Sequence, residues 1–72
     1  GESGEDIIMA RQARERFPFS VECKAHERLN IWDAIKQAED NSGDHTPIVI
    51  FKRNRSKTYV TIELDNFLDI IE

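Results

Sequence analysis

Cysteine appears once, proline twice and glycine three times in 72 residues. A lone Cys23 excludes an internal disulfide, and in an apolar stretch a reduced thiol behaves as a small hydrophobe. Long hydrophobic runs are missing as well. None exceeds the four residues from Ile48 to Phe51, far short of the roughly 20 that a membrane-crossing helix needs. No basic, apolar and small-residue secretory signal follows Gly1, so the expectation is a soluble, cytoplasmic protein with no membrane partner. Positive charge is in deficit too: 10 Lys and Arg against 14 Asp and Glu leave a net charge of -4. On average that disfavours a polyanionic partner, because counterion release rewards positive surfaces. A chain this short buries a modest share of its surface, which limits it to one domain over residues 1–72 and makes a partner subunit useful for stability.

What is present is unevenly distributed. Lys52, Arg53, Arg55 and Lys57 place four cations in six residues with no acid among them. Glu2, Glu5 and Asp6 at one end and Glu63, Asp65, Asp69 and Glu72 at the other hold much of the negative charge. Gly1 to Gly4 read as a lead-in, and Asp6 opens a short strand through Ile7, Ile8 and Met9. Arg11 to Arg16 form a connector, either one helical turn or a solvated loop, which Pro18 ends by lacking a donor and restricting Phe17. Phe19 to Lys24 alternate as a strand does, with Phe19, Val21 and Cys23 on one side and Ser20, Glu22 and Lys24 on the other.

Asn30 is a good N-cap, and Asp33 suits the first turn of the helix that follows. Ile31, Ala34, Ile35 and Ala38 recur at helical spacing, so residues 31–40 should form an amphipathic helix packed on a sheet. Asn41, Ser42 and Gly43 stop it. Pro47 launches a strand whose core, Ile48 to Phe51, is apolar on both faces and so should be covered on both. Asn54 to Ser56 make a polar turn, and residues 58–64 pair back as a hairpin. Asp65 then caps a closing helix carrying Phe67, Leu68, Ile70 and Ile71. The order strand, strand, helix, strand, strand, helix predicts an α/β or α+β fold, a small mixed sheet flanked by helices.

Hydrolysing a phosphodiester requires charge neutralisation on the phosphate and an activated water, and carboxylates holding a divalent ion supply both. If the strand containing Glu22 is central and adjoins the one that Asp6 begins, both carboxylates can reach one ion. Lys24, two residues on and on the same face, could orient the water or stabilise charge on phosphorus. An acid-x-Lys triplet is weak by itself, since about one such match is expected by chance in a chain of this composition. Its ordinary reading is a Glu and Lys pair on the wet face of a sheet. The position inside an apolar strand argues for more, because charged side chains there need either solvent or a site.

With these residues in place, the run Asp6, then Glu22-Cys23-Lys24, then a helix with Gln37, then a strand and basic hairpin resembles the PD-(D/E)XK nuclease superfamily. The segments FPFSVECK, LNIWDAIKQAE, TPIVIFKRNRSKTYV and LDNFLDII are similar to those of small phage and prophage nucleases described as Holliday-junction-resolvase-like, and they cover most of the chain. The resemblance implies a restriction-endonuclease-like core and a Mg2+ or Mn2+ site. Its ligands would be Asp6, Glu22 and the backbone carbonyl of Cys23, with Lys24 catalytic and Gln37 facing the site from the helix. Two departures stand out: Glu5 occupies the place of the usual Pro before the first Asp, and the family's first helix with its acidic residue has no counterpart here. Periodicity alone makes Gln37 a solvated helix residue, off the Ile31, Ala34 and Ala38 stripe.

Lys52, Arg53, Arg55 and Lys57 would contact DNA phosphates from a turn, or simply solubilise a sheet edge. His26, just past Lys24, could touch the same substrate. Neither His26 nor His45 has ligand spacing for zinc. Trp32 reads as a helix anchor or dimer contact rather than a base-stacking platform. The function expected is a structure-directed DNA endonuclease, acting in the cytoplasm of a bacterial host if phage-encoded. A junction with two symmetric strands would call for a homodimer. The competing reading is a non-catalytic DNA-binding or assembly module that keeps the nuclease-like sheet.

Overall fold

The computed structural model describes Arg11 and residues 18–72. The expected strand at Ile7 to Met9, with Asp6, lies outside the described residues, as does the connector apart from Arg11, which is helical and exposed. Five elements follow in order: β1 (Phe19–Ala25), α1 (Ile31–Asn41), β2 (Thr46–Lys52), β3 (Tyr59–Ile62) and α2 (Leu64–Ile71). They form a mixed α+β fold with strand order β1-β2-β3.

Strands β1 and β2 pair in parallel, from Phe19 opposite Thr46 to Ala25 opposite Lys52. The Thr46 N–H donates to the Pro18 carbonyl at 2.9 Å, just ahead of the first paired residues. A parallel pair needs a crossover, and α1 supplies it. Strand β3 returns antiparallel, with Ile48 opposite Ile62 and Phe51 opposite Tyr59. Among the described residues β2, not the Glu22 strand, is therefore the middle strand. Its Ile48, Val49 and Ile50 are buried, on both faces, as an uninterrupted apolar run should be.

Asn30 caps α1: its Oδ1 accepts from the Asp33 N–H at 3.2 Å. This satisfies one of the donors that a helix start leaves open. At the far end Ser42 donates through both its N–H and its Oγ to the Glu39 carbonyl. Gly43 follows with φ +55, the left-handed conformation that glycine adopts without a Cβ penalty and that turns the chain out of a helix. Ala34 and Ala38 face the sheet and are 3% and 1% exposed against Val49 at 1%. Leu29, Ile31, Ile35 and Phe51 pack around these three.

The last two elements differ from expectation by a few residues. Strand β3 ends at Ile62, and the cap of α2 is Glu63 rather than Asp65. The Glu63 carboxylate accepts from the N–H groups of Asp65 and Asn66 at 3.0 and 3.1 Å, so the helix begins at Leu64 and Asp65 sits in its first turn. No residue of α2 is buried, and Leu64, Phe67, Leu68 and Ile71 are exposed. Among the described residues no helix is long and apolar enough to cross a membrane.

Ala38→Leu is expected to lower the unfolding free energy by about 1–3 kcal/mol, because the added carbons have no space beside Val49. Urea denaturation reads this directly, and an unchanged midpoint would contradict the close seating of α1 on β2.

Candidate active site

Residues opposite one another in a ladder point to the same face of a sheet. Val49 meets α1, so the row Glu22, Val49, Thr61 lies on the helix-covered face, and so does the next row, Lys24, Phe51, Tyr59. Glu22 and Lys24 thus share the face that α1 covers, rather than an open wet face. Both are half-buried.

Between β1 and α1 lies an open cleft of about 610 Å3, lined by Lys24 and His26 from the sheet side and by Asn30, Asp33, Gln37 and Asn41 from the helix side. Gln37 is exposed and shares this cleft with Lys24. Asn41 reaches across it, and its Nδ2 donates to Glu22 Oε1 at 3.1 Å. That bond fixes one oxygen of the carboxylate and leaves the other available. Lys24 makes neither a salt bridge nor a side-chain hydrogen bond among the described residues. The Lys24 stem is half-buried but its ammonium is open to solvent, since no buried side-chain nitrogen or oxygen lacks a partner among the described residues, so its donors are available to an anionic ligand in the cleft.

Asp6 lies outside the described residues, and among those described no three His, Cys, Asp or Glu side chains gather around one point. Glu22 is the one carboxylate of the expected ligand set within the described region. His26 is exposed at the mouth of the cleft, and His45 is exposed in the loop before β2, where its N–H donates to the Ser42 carbonyl at 2.9 Å. Trp32 is 77% exposed and lines a different hollow, beside β3, so it does not anchor α1.

The basic hairpin sits at the same end of the sheet as Lys24, because Lys52 pairs with Ala25. Arg53, Arg55 and Lys57 are exposed and Lys52 is half-buried. The turn closes with Ser56 N–H on the Arg53 carbonyl at 3.2 Å, and Ser56 Oγ accepts from the Arg53 N–H at 3.0 Å. Arg55 adopts φ 62, a conformation that costs a non-glycine residue about 1 kcal/mol. Glu27, from the loop after β1, accepts from the Asn54 N–H at 2.9 Å. The carboxylate therefore ties the turn to the segment that carries His26.

Two of these contacts were not anticipated from the sequence. In the sequence Asn41 marks a helix stop, yet Asp33, Gln37 and Asn41 fall four residues apart and form a polar stripe beside the Ala34 and Ala38 stripe. That spacing was available as a signal. Glu27 carried none, since its role depends on where the hairpin folds back.

A family model described as Phage putative PDDEXK endonuclease matches residues 2–72. No curated protein and no solved structure matches the chain.

Glu27→Ala should loosen the hairpin without unfolding the sheet. Amide exchange at Asn54 is expected to quicken by about 2- to 10-fold, the loss of one partly exposed hydrogen bond; unchanged exchange would mean that Glu27 does not hold the turn.

Proposed function

The chain belongs to the family of phage PDDEXK endonucleases, and from that premise we propose that it is a divalent-metal-dependent enzyme that hydrolyses DNA phosphodiester bonds, directed by DNA structure in the manner of a Holliday-junction resolvase. The observation that carries this reading is Lys24, solvent-reachable at its ammonium and without an ion pair or side-chain hydrogen bond among the described residues, two residues beyond a Glu22 held by Asn41, with Gln37 on the opposite wall of the same cleft.

Glu22, the Cys23 carbonyl and Asp6 would hold the ion. Carboxylates and a main-chain carbonyl are hard oxygen donors, the chemistry that Mg2+ and Mn2+ favour over softer ligands. When bound, such an ion neutralises phosphate charge and makes water a better nucleophile. Asn41 restrains the Glu22 carboxylate from the far wall, as a neighbour hydrogen-bonded to a metal ligand does. Lys24 donates hydrogen bonds to the phosphate oxygens as charge builds on them, a stabilisation that grows toward the transition state. Gln37 orients water or phosphate from the helix. Lys52, Arg53, Arg55 and Lys57, with His26, bind the DNA backbone and so position the duplex without reading its bases.

A homodimer acting on symmetric strands is supported by the exposed apolar residues of α2. The setting proposed is the cytoplasm of the bacterial host. The competing reading, a non-catalytic DNA-binding or assembly module, draws on the net charge of -4.

Labelled four-way-junction and linear duplex DNA, with Mg2+ or Mn2+ and with EDTA, separate the two. Metal-dependent cutting is expected, reduced at least 100-fold by Glu22→Gln and by Lys24→Ala, on the order seen for loss of one transition-state donor. Cutting that survives both changes would sink the assignment of these residues, and no cutting together with no calorimetric Mn2+ binding would favour the binding module. Asn41→Ala is expected to weaken Mn2+ binding by about 10- to 100-fold while the fold, read by circular dichroism, is retained. Unaltered Mn2+ affinity would reduce Asn41 to a helix-to-sheet contact.

A further inference from the structure

A second hollow adjoins the cleft. It has a volume of about 350 Å3 and is lined by His26, Leu29, Phe51, Lys52, Arg53 and Tyr59, among others. His26 and Leu29 line both hollows, so the two are contiguous. Lys24, Phe51 and Tyr59 stand in one row across the sheet on the α1 face. The row therefore runs from the ammonium of the cleft to an aromatic pair at the foot of the basic hairpin.

Tyr59 is 56% exposed. Its ring lies 6.1 Å from that of Phe51, centroid to centroid, with the planes tilted by 34°. Phe51 is half-buried and braced by the core that Ala34, Ala38 and Val49 form. Tyr59 is thus an exposed ring backed by a fixed one, in a hollow that Arg53, Lys52 and the carboxylate-bearing Glu27 also line. An aromatic face beside cations is the composition that takes a nucleobase by stacking while the charges hold its phosphates.

We propose that Tyr59, backed by Phe51, stacks an unpaired nucleobase of the DNA strand whose phosphate lies at Lys24. The proposal rests on the nuclease reading for the position of that phosphate, and it deepens that reading by naming the ligand: a nucleotide out of its duplex stack, such as one at a branch point or in a single-stranded segment. Bases inside an intact duplex do not offer a free face to a protein ring. The ring accordingly selects DNA by structure and is indifferent to sequence, since every base has a π-face. Trp32, the larger ring, is excluded from this role by its place on the other flank of α1.

The test uses binding in EDTA, where no cutting can intervene. The full chain is titrated with a short single-stranded oligonucleotide and with the same strand carrying stable abasic sites. The unaltered protein is expected to bind the base-bearing strand more tightly. Tyr59→Leu should weaken that binding by about 5- to 100-fold, the range that loss of one stacked base produces, and should leave binding to the abasic strand within two-fold. Tyr59→Phe, which keeps the ring, should bind both strands as the unaltered chain does.

Equal losses on both strands, or a loss with Tyr59→Phe as large as with Tyr59→Leu, would overturn stacking. So would an unaffected Tyr59→Leu variant. Base-dependent binding that Tyr59→Leu removes, in a chain that cuts nothing with Mg2+ or Mn2+, would leave the stacking site standing and overturn only the nuclease chemistry.

Discussion

The seat of α1 on Val49 governs where every other side chain of the cleft lies. Ala34 and Ala38 are the helix's two fully buried residues, and their small size lets the helix sit close against β2. Two contacts four residues apart also fix how the helix is rotated about its axis, because residues at that spacing form one stripe. With the alanines facing Val49, the flank carrying Asp33, Gln37 and Asn41 must look toward β1. The flank carrying Trp32, Ile35 and Glu39 must look toward β3. The two hollows beside α1 divide in that way. A larger residue at either alanine would lift or turn the helix and separate Asn41 from Glu22.

The sheet imposes the complementary constraint. Strand β2 is buried on both faces, so its pairing with β1 cannot slip by one residue without exchanging the two faces of β1. In the register formed, Val21 and Cys23 join Ile48 and Ile50 on the face away from α1, and Glu22 and Lys24 join Val49 and Phe51 beneath it. The two charged residues are therefore placed under the flank of a helix whose polar stripe is aimed at them. Local alternation, ladder register and helix rotation agree, and such agreement across levels is what specifies one arrangement.

Much of this was legible in the sequence because it depended on short-range patterns. The alternation from Phe19 to Lys24, the Asn30 cap, the alanine stripe and the turn at Asn54 to Ser56 are each set within a few residues, and each corresponds to an element or a junction of the structure. The cap of α2, two residues ahead of the expected one, is set by a different local balance. Glu63 has no sequence mark that separates it from Asp65, and only the two N–H groups it accepts from identify it as the cap. Contacts between elements were harder still. That Asn41 would meet Glu22, or that Glu27 would meet Asn54, depends on crossover geometry across 19 and 27 residues, and no periodicity encodes it. Trp32 shows the converse: an aromatic residue on an amphipathic helix invites a buried role, yet its position beside Ile31 turns it to the flank.

The net charge of -4 would by itself argue against DNA, but topology separates the charges along the strand axis. Strand β2 ends at Lys52 and β3 runs back until Ile62 stands opposite Ile48. The hairpin cations consequently lie at one end of the sheet, while α2, with Glu63, Asp65, Asp69 and Glu72, begins at the other. The basic end is also the end toward which β1 carries Lys24 and His26 and at which α1 begins, with the positive pole of its dipole. A polyanion approaching such a molecule is drawn to one end and turned away from the other, and this orients the encounter even where the summed charge is unfavourable. Because the cations are exposed on a turn, their attraction weakens within a Debye length, about 8 Å at physiological salt. Steering therefore acts at close range, over the distance that separates a duplex already beside the hairpin from one seated in the cleft.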